Sequence, residues 1–141
     1  EMKVKDIDYI LKLYVNYYNN IEDSNWTRET AYKRIHQVIT MEDSYSLLLM
    51  DNDTYLGFIM GYFKQYDDII SYTLEEIVID YTLQNRGLGS NFLAQLEKKV
   101  KELGASCIEL KAVNDSMHDH FYKINGYLDS DSFVEKVKWF S

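Results

Sequence analysis

Ser71-Tyr72-Thr73-Leu74-Glu75-Glu76-Ile77-Val78-Ile79-Asp80, the turn Gln84-Asn85-Arg86-Gly87-Leu88-Gly89-Ser90 and the run on to Gly104 carry the architectural information of this chain. Residues 71–80 are rich in β-branched and aromatic side chains, which suit a strand. Beyond the turn, Leu88, Phe92, Leu96, Val100 and Leu103 recur at helical spacing, and Gly104 provides the stop. A second β-rich run, Ser106 to Val113, follows. Strand, helix and strand in that order predict a right-handed crossover with the two strands parallel.

On the N-terminal side, Ser44 to Met50 and Thr54 to Tyr66 flank Asp51-Asn52-Asp53 and read as an antiparallel hairpin, with Asp67-Asp68 breaking the pattern afterwards. Ile7, Ile10, Leu11, Tyr14, Tyr17 and Tyr18 predict a helix over 7–19 with Asp6 as its N-cap. A second helix is expected after Thr27, burying Ala31, Ile35, Val38 and Ile39. On the C-terminal side, Ser116 to Ile124 predicts a short helix ended by Asn125-Gly126, and Phe133 to Phe140 a final strand. The expectation is one mixed α/β domain over residues 1–141. It has a mostly antiparallel sheet with one parallel pair, helices on both faces, and strands drawn from 44–50, 54–66, 71–80, 106–113 and 133–140.

Composition narrows the function. The 141 residues carry a net charge of −8, all of it within residues 1–81, which hold 15 acidic and 7 basic side chains. Such a field disfavours nucleic acid and anionic membranes as partners and favours cationic small molecules or basic peptides, although surface acids also serve solubility. The longest uncharged apolar stretch, Tyr55 to Phe63, is interrupted by Gly57 and Gly61, whereas a membrane span needs about 20 residues. Cys107 is the only cysteine, so no intrachain disulfide forms, and the N-terminal residues lack an apolar signal core. A cytoplasmic setting is expected.

The Gly-rich turn is the sharpest chemical signal. Gly87 and Gly89 allow close backbone approach, and the first-turn N–H groups of the following helix favour an anion, with Arg86 adding a charged donor. A Walker loop would need Lys after the last glycine. A dinucleotide fingerprint would need glycine at Phe92 and a tight turn directly after the strand. The remaining pattern, Q/R-x-x-G-x-G/A after a strand, resembles the GNAT superfamily of acyl-CoA-dependent N-acetyltransferases. The resemblance covers about residues 72–128, and Phe121-Tyr122-Lys123-Ile124-Asn125-Gly126-Tyr127 is similar to the family's second signature.

That resemblance implies an enzyme moving an acetyl group from acetyl-CoA to a primary amine by direct attack. Its cosubstrate would lie along Ile77, Val78 and Ile79, with the pyrophosphate on the amides of Gln84, Asn85, Arg86, Gly87, Leu88, Gly89 and Ser90. Asn114 is the candidate for a pantetheine or amine contact, although Asp115 has the commoner spacing to Tyr122. Deprotonating an amine of pKa about 10 needs a base. Glu75 and Glu76 are the candidates, with Glu75 favoured, and strand alternation should send them to opposite faces. Tyr122 is the acid for the leaving thiolate. Trp26 is a wall for the amine or, equally, a plug of the core. The family's first strand is reduced to Met2–Lys5 at most, and the proline often found after the cofactor strand is replaced by Asp80-Tyr81-Thr82.

The partners implied are acetyl-CoA and an amine acceptor, with no nucleic acid and no membrane, and with a homodimer as the assembly to test. No metal is implied: His118 and His120 point apart on a helix, and Cys107 is expected as a small core residue. The competing class is a non-catalytic acyl-CoA sensor or interaction module.

Overall fold

The computed structural model describes residues 1–22, 24–83 and 87–140. The described chain divides into two compact units, Glu1–Lys111 and Ala112–Ser141.

The first unit holds a four-stranded sheet in the order β1-β2-β3-β4, formed by Leu47–Asp51, Thr54–Gln65, Ile70–Ile79 and Cys107–Leu110. Strand β2 pairs antiparallel with β1 and with β3, whereas β3 and β4 are parallel, as the strand–helix–strand order requires. The β1–β2 turn turns on Asn52, whose φ of 54° is a left-handed value that asparagine tolerates. Both ladders that involve β2 contain an irregularity. The one in β3 matters here: Met60 pairs with Glu76 and Gly61 with Leu74, leaving Glu75 as an extra residue.

Helices α1 (Ile7–Ile21) and α2 (Arg28–Ile39) cover one face of this sheet. Ile7, Ile10, Leu11, Tyr14, Ala31, Ile35 and Val38 from the helices join Phe58, Met60 and Val78 in one buried cluster. The alternate residues Ile59 and Ile79 are buried outside it, and α3 (Leu88–Glu102) packs on β3 with Phe92, Leu93, Leu96 and Val100 buried. Helices therefore lie on both faces, as expected. Leu103 departs from the predicted stripe: it is the helix C-cap and is exposed, and Leu93 takes a buried place instead.

Capping residues explain the helix boundaries. Thr27 accepts from the Thr30 N–H at 3.1 Å and fixes the start of α2. Asp6 does not cap α1 with its side chain. Its buried carboxylate accepts from the Lys3 N–H at 2.8 Å and the Tyr55 hydroxyl at 3.2 Å, closing a 3₁₀ turn at Val4–Asp6. Residues 2–5 form no strand, although the Met2 N–H donates to the Ser46 carbonyl at 2.7 Å.

The second unit contains α4 (Ser116–Ile124), capped by Asp115, whose carboxylate accepts from the His118 N–H at 2.7 Å. No strand forms over 133–140, contrary to the expectation. The alternation is present, but a strand exists only as a paired element, and here Phe133, Trp139 and Phe140 are largely exposed. Cys107 is likewise exposed at the start of the short β4 rather than buried. Among the described residues no helix is long and apolar enough to cross a membrane, and no group of His, Cys, Asp and Glu is arranged to hold a metal ion.

Candidate active site

Strand β3 is paired unequally along its length. Ser71 to Leu74 pair with Cys107 to Leu110 of β4, but beyond Leu74 no described strand pairs with that edge. The Asp80 N–H donates to the Leu56 carbonyl of β2 at 2.8 Å, and residues two apart share an edge, so the main-chain groups of Val78 and Glu76 also face β2. Those of Ile77 and Ile79 face the other edge. Of the three residues expected along the cosubstrate, Val78 is committed to the β2 ladder.

A 3₁₀ turn follows β3. Asp80 stabilises this turn, Tyr81–Leu83, by accepting from the Thr82 N–H at 3.0 Å and the Thr82 hydroxyl at 2.9 Å. This replaces the rigid exit a proline would give. Gln84, Asn85 and Arg86 lie outside the described residues. Gly87 is the N-cap of α3 with φ of 74°, a left-handed conformation that glycine adopts without strain. The amides of Leu88 and Gly89 then open a fifteen-residue helix with no intrahelical carbonyl to bond, and Ser90 completes the first turn.

The acidic pair is arranged differently from the expectation. Because Glu75 is the extra residue of a bulge, alternation is interrupted and both glutamates reach the same guanidinium from α2. Arg34 Nη1 donates to Glu75 Oε1 at 3.1 Å, and Nη2 donates to Glu76 Oε2 at 3.2 Å. Glu76 also accepts from the Tyr14 hydroxyl at 3.1 Å and from the Tyr18 hydroxyl, so both its oxygens are engaged. Burial pushes the Glu76 carboxyl above the usual carboxylate range, against the pull of the Tyr18, Arg34 and Tyr14 contacts. Burial and the neighbouring Glu76 charge raise both phenols, which stay protonated donors. Glu75 is held only through Oε1, and its Oε2 has no protein partner among the described residues. Its side chain is 26% exposed against 14% for Glu76.

Tyr14, Tyr18 and Arg34 were not singled out from the sequence. The available signal was positional: residue 34 lies three past buried Ala31 and four before buried Val38, and two tyrosines on a buried face need hydroxyl partners. Trp26 stands edge-on to Tyr14 with ring centroids 5.1 Å apart. Its main chain is tied to Asn19 through an N–H donated to Oδ1 at 2.9 Å and a carbonyl accepting from Nδ2 at 2.8 Å. Through these contacts Trp26 packs against the core cluster, with Tyr14 between it and Glu76. A cavity of about 290 Å³ lined by Tyr9, Lys12, Tyr55, Asp80 and Tyr81 contains neither glutamate.

In the second unit, Tyr122 of α4 is half-buried between Phe121 and Tyr127, both edge-on at 5.1 and 5.6 Å. The Tyr127 N–H donates to the Tyr122 carbonyl at 2.9 Å, and Gly126 takes a φ of 88° as the helix ends. The Asp115 carboxylate is occupied by capping and by the His118 ring, with Nδ1 at 2.8 Å, whereas Asn114 precedes the cap.

The model of the acetyltransferase (GNAT) family matches residues 7–127, spanning both units. The chain belongs to this family. As a GNAT protein it is an acetyltransferase of the acetyl-CoA-dependent class. Solved structures share the fold at low sequence identity. A possible acetyltransferase from Clostridium difficile 630 aligns with a TM-score of 0.81 at 15% identity, covering 100% of this chain and 96% of that one. An aminoglycoside N-acetyltransferase solved in complex with CoA aligns with a TM-score of 0.74 at 12% identity, covering 97% and 91%. Another aminoglycoside acetyltransferase, from an uncultured soil metagenomic sample and solved with sisomicin, gives 0.74 at 14% identity, covering 99% and 93%. No curated protein sequence matches this GNAT chain.

Proposed function

We propose that this GNAT protein transfers the acetyl group of acetyl-CoA to a primary amine on a cationic small molecule or basic peptide, with Glu75 as the base and Tyr122 as the acid. The observation that carries the choice of base is the unequal engagement of the two glutamates: both oxygens of Glu76 are occupied, whereas Glu75 Oε2 has no protein partner among the described residues. In this reading the main-chain edge at Ile77 takes the pantetheine arm as an added strand, with Ile79 alongside and Asn114 as a further contact. The turn through Gly87, Leu88, Gly89 and Ser90 takes the pyrophosphate, together with Gln84, Asn85 and Arg86. Trp26, behind Tyr14, walls the acceptor side.

Glu75 Oε2 removes a proton from the acceptor ammonium, directly or through a water, and the amine nitrogen forms a bond to the thioester carbon. The carbon–sulfur bond breaks, the Tyr122 hydroxyl gives its proton to the departing thiolate, the second proton that the acetylated nitrogen loses restores the Tyr122 hydroxyl through solvent, and Glu75 releases its proton to bulk water. Proton transfer from a phenol of pKa about 10 to a thiolate of about 8.5 is uphill by only about 2 kcal/mol. A cationic acceptor suits the net charge of −8, and two structural relatives are named as aminoglycoside acetyltransferases. Free-thiol release from acetyl-CoA with a panel of amines tests the reading. Glu75→Gln should lower turnover by about 10²–10⁴-fold, and Tyr122→Phe should lower it with acetyl-CoA affinity kept within a few-fold. Tight acetyl-CoA binding with no thiol release from any amine would favour a non-catalytic acyl-CoA sensor.

A further inference from the structure

We infer that Arg34 is a positioning residue for Glu75, fixing one carboxylate oxygen so that the other is presented to the acceptor; this rests on the assignment of Glu75 as the base. The guanidinium is no swinging surface cation. Its side chain is 28% exposed, and its two terminal nitrogens bridge neighbouring carboxylates at 3.1 and 3.2 Å. A planar fork serves two acceptors at once, which an ammonium group cannot do with the same geometry.

The fork is itself fixed from behind. Tyr14 and Tyr18 of α1 hold Glu76, Glu76 holds Nη2, and Nη1 is thereby aimed at Glu75 Oε1. The bulge makes this chain of contacts attainable, because regular alternation would put the two carboxylates on opposite faces. The arrangement leaves Oε2 as the accepting atom.

Several charged and titratable groups surround Glu75. Arg34 faces it from α2, Glu76 adjoins it on β3, and the phenol of Tyr72, pushed up by burial, feels its charge. Tyr14 and Tyr18 act from α1 through Glu76. From β4, Glu109 reaches the Thr73 hydroxyl at 3.5 Å and is itself paired with Lys64 at 3.8 Å and the Tyr66 hydroxyl at 2.8 Å. Arg34 is the cation in direct contact with Glu75. Removing its fork frees Glu75 Oε1 and leaves two adjacent carboxylates without their shared donor, so Oε2 is no longer held in one place.

The test uses the full chain with Arg34→Gln, Arg34→Lys and Glu75→Gln. With acetyl-CoA and spermidine as probes, both Arg34 variants should lose about tenfold or more in kcat with the KM for acetyl-CoA unchanged, whereas Arg34→Gln added to Glu75→Gln should slow turnover no further, because an Arg34 that acts through Glu75 then has nothing left to position. A merely structural Arg34 would lower thermal stability and turnover equally in either background. Full kcat in folded Arg34→Gln, or a further loss of about tenfold in the double variant, overturns the positioning role, whatever Glu75→Gln does alone. Full turnover in Glu75→Gln overturns the assignment of the base, whatever the Arg34 variants do.

Discussion

From Ser71 to Leu74, β3 is paired on both edges, with β2 and with β4; beyond Leu74, β2 is the one described strand that pairs with it. The bulge at Glu75 marks the boundary. The first half spends its main-chain groups on holding the sheet together, and its Tyr72 ring is fully buried with the hydroxyl donated to the Tyr45 carbonyl at 2.6 Å. The second half has lost one partner strand and gained two carboxylates on one face. One strand thus divides the labour between stability and chemistry, and substitutions on its two sides should report on different quantities.

The largest stability effect is expected at the boundary. A side chain at Gly61 would place its Cβ 2.2 Å from the Thr73 carbonyl oxygen and 2.6 Å from the Tyr72 hydroxyl, backbone and buried groups that cannot yield. Gly61→Val should cost about 3 kcal/mol or more in urea unfolding and should degrade the site as well, because the bulge is lost with the ladder. An unchanged unfolding midpoint would mean that the two halves are not joined as described.

On the open side, stability and binding should separate. Gly89→Arg, in the first turn of α3, should weaken acetyl-CoA by about a hundredfold in calorimetry while the urea midpoint moves little. Smaller still is the expected effect of Thr27→Ala, which removes the cap of α2 and should cost about 1 kcal/mol. Since α2 carries Arg34, that variant should also lower turnover slightly with the KM for acetyl-CoA unaltered.

What could be seen in the sequence follows the range of the forces involved. The start of α2 was visible because Thr27 acts on its own first turn, and that of α3 because the Gly-rich turn before it is a local signal. The parallel pair was visible because a strand, a helix and a strand have few ways to connect. The strand expected over 133–140 was not a local property, since pairing needs an edge elsewhere. In the site, the Gly-rich turn was legible as a local motif. The shared face of Glu75 and Glu76 was hidden because it depends on Gly61 in another strand. Tyr14, Tyr18 and Arg34 were hidden for the same reason: each is defined by partners 41 to 62 positions away.

The surroundings of Trp26 give the protein an optical reporter of its own. The chain has two tryptophans; Trp139 is 87% exposed, whereas Trp26 is partly buried, edge-on to Tyr14. Acrylamide should therefore silence Trp139 first and leave a bluer emission, fed by the adjacent tyrosines, from Trp26. Because Tyr14 also holds Glu76, that residual light reads the environment of the acidic pair without any label attached to it.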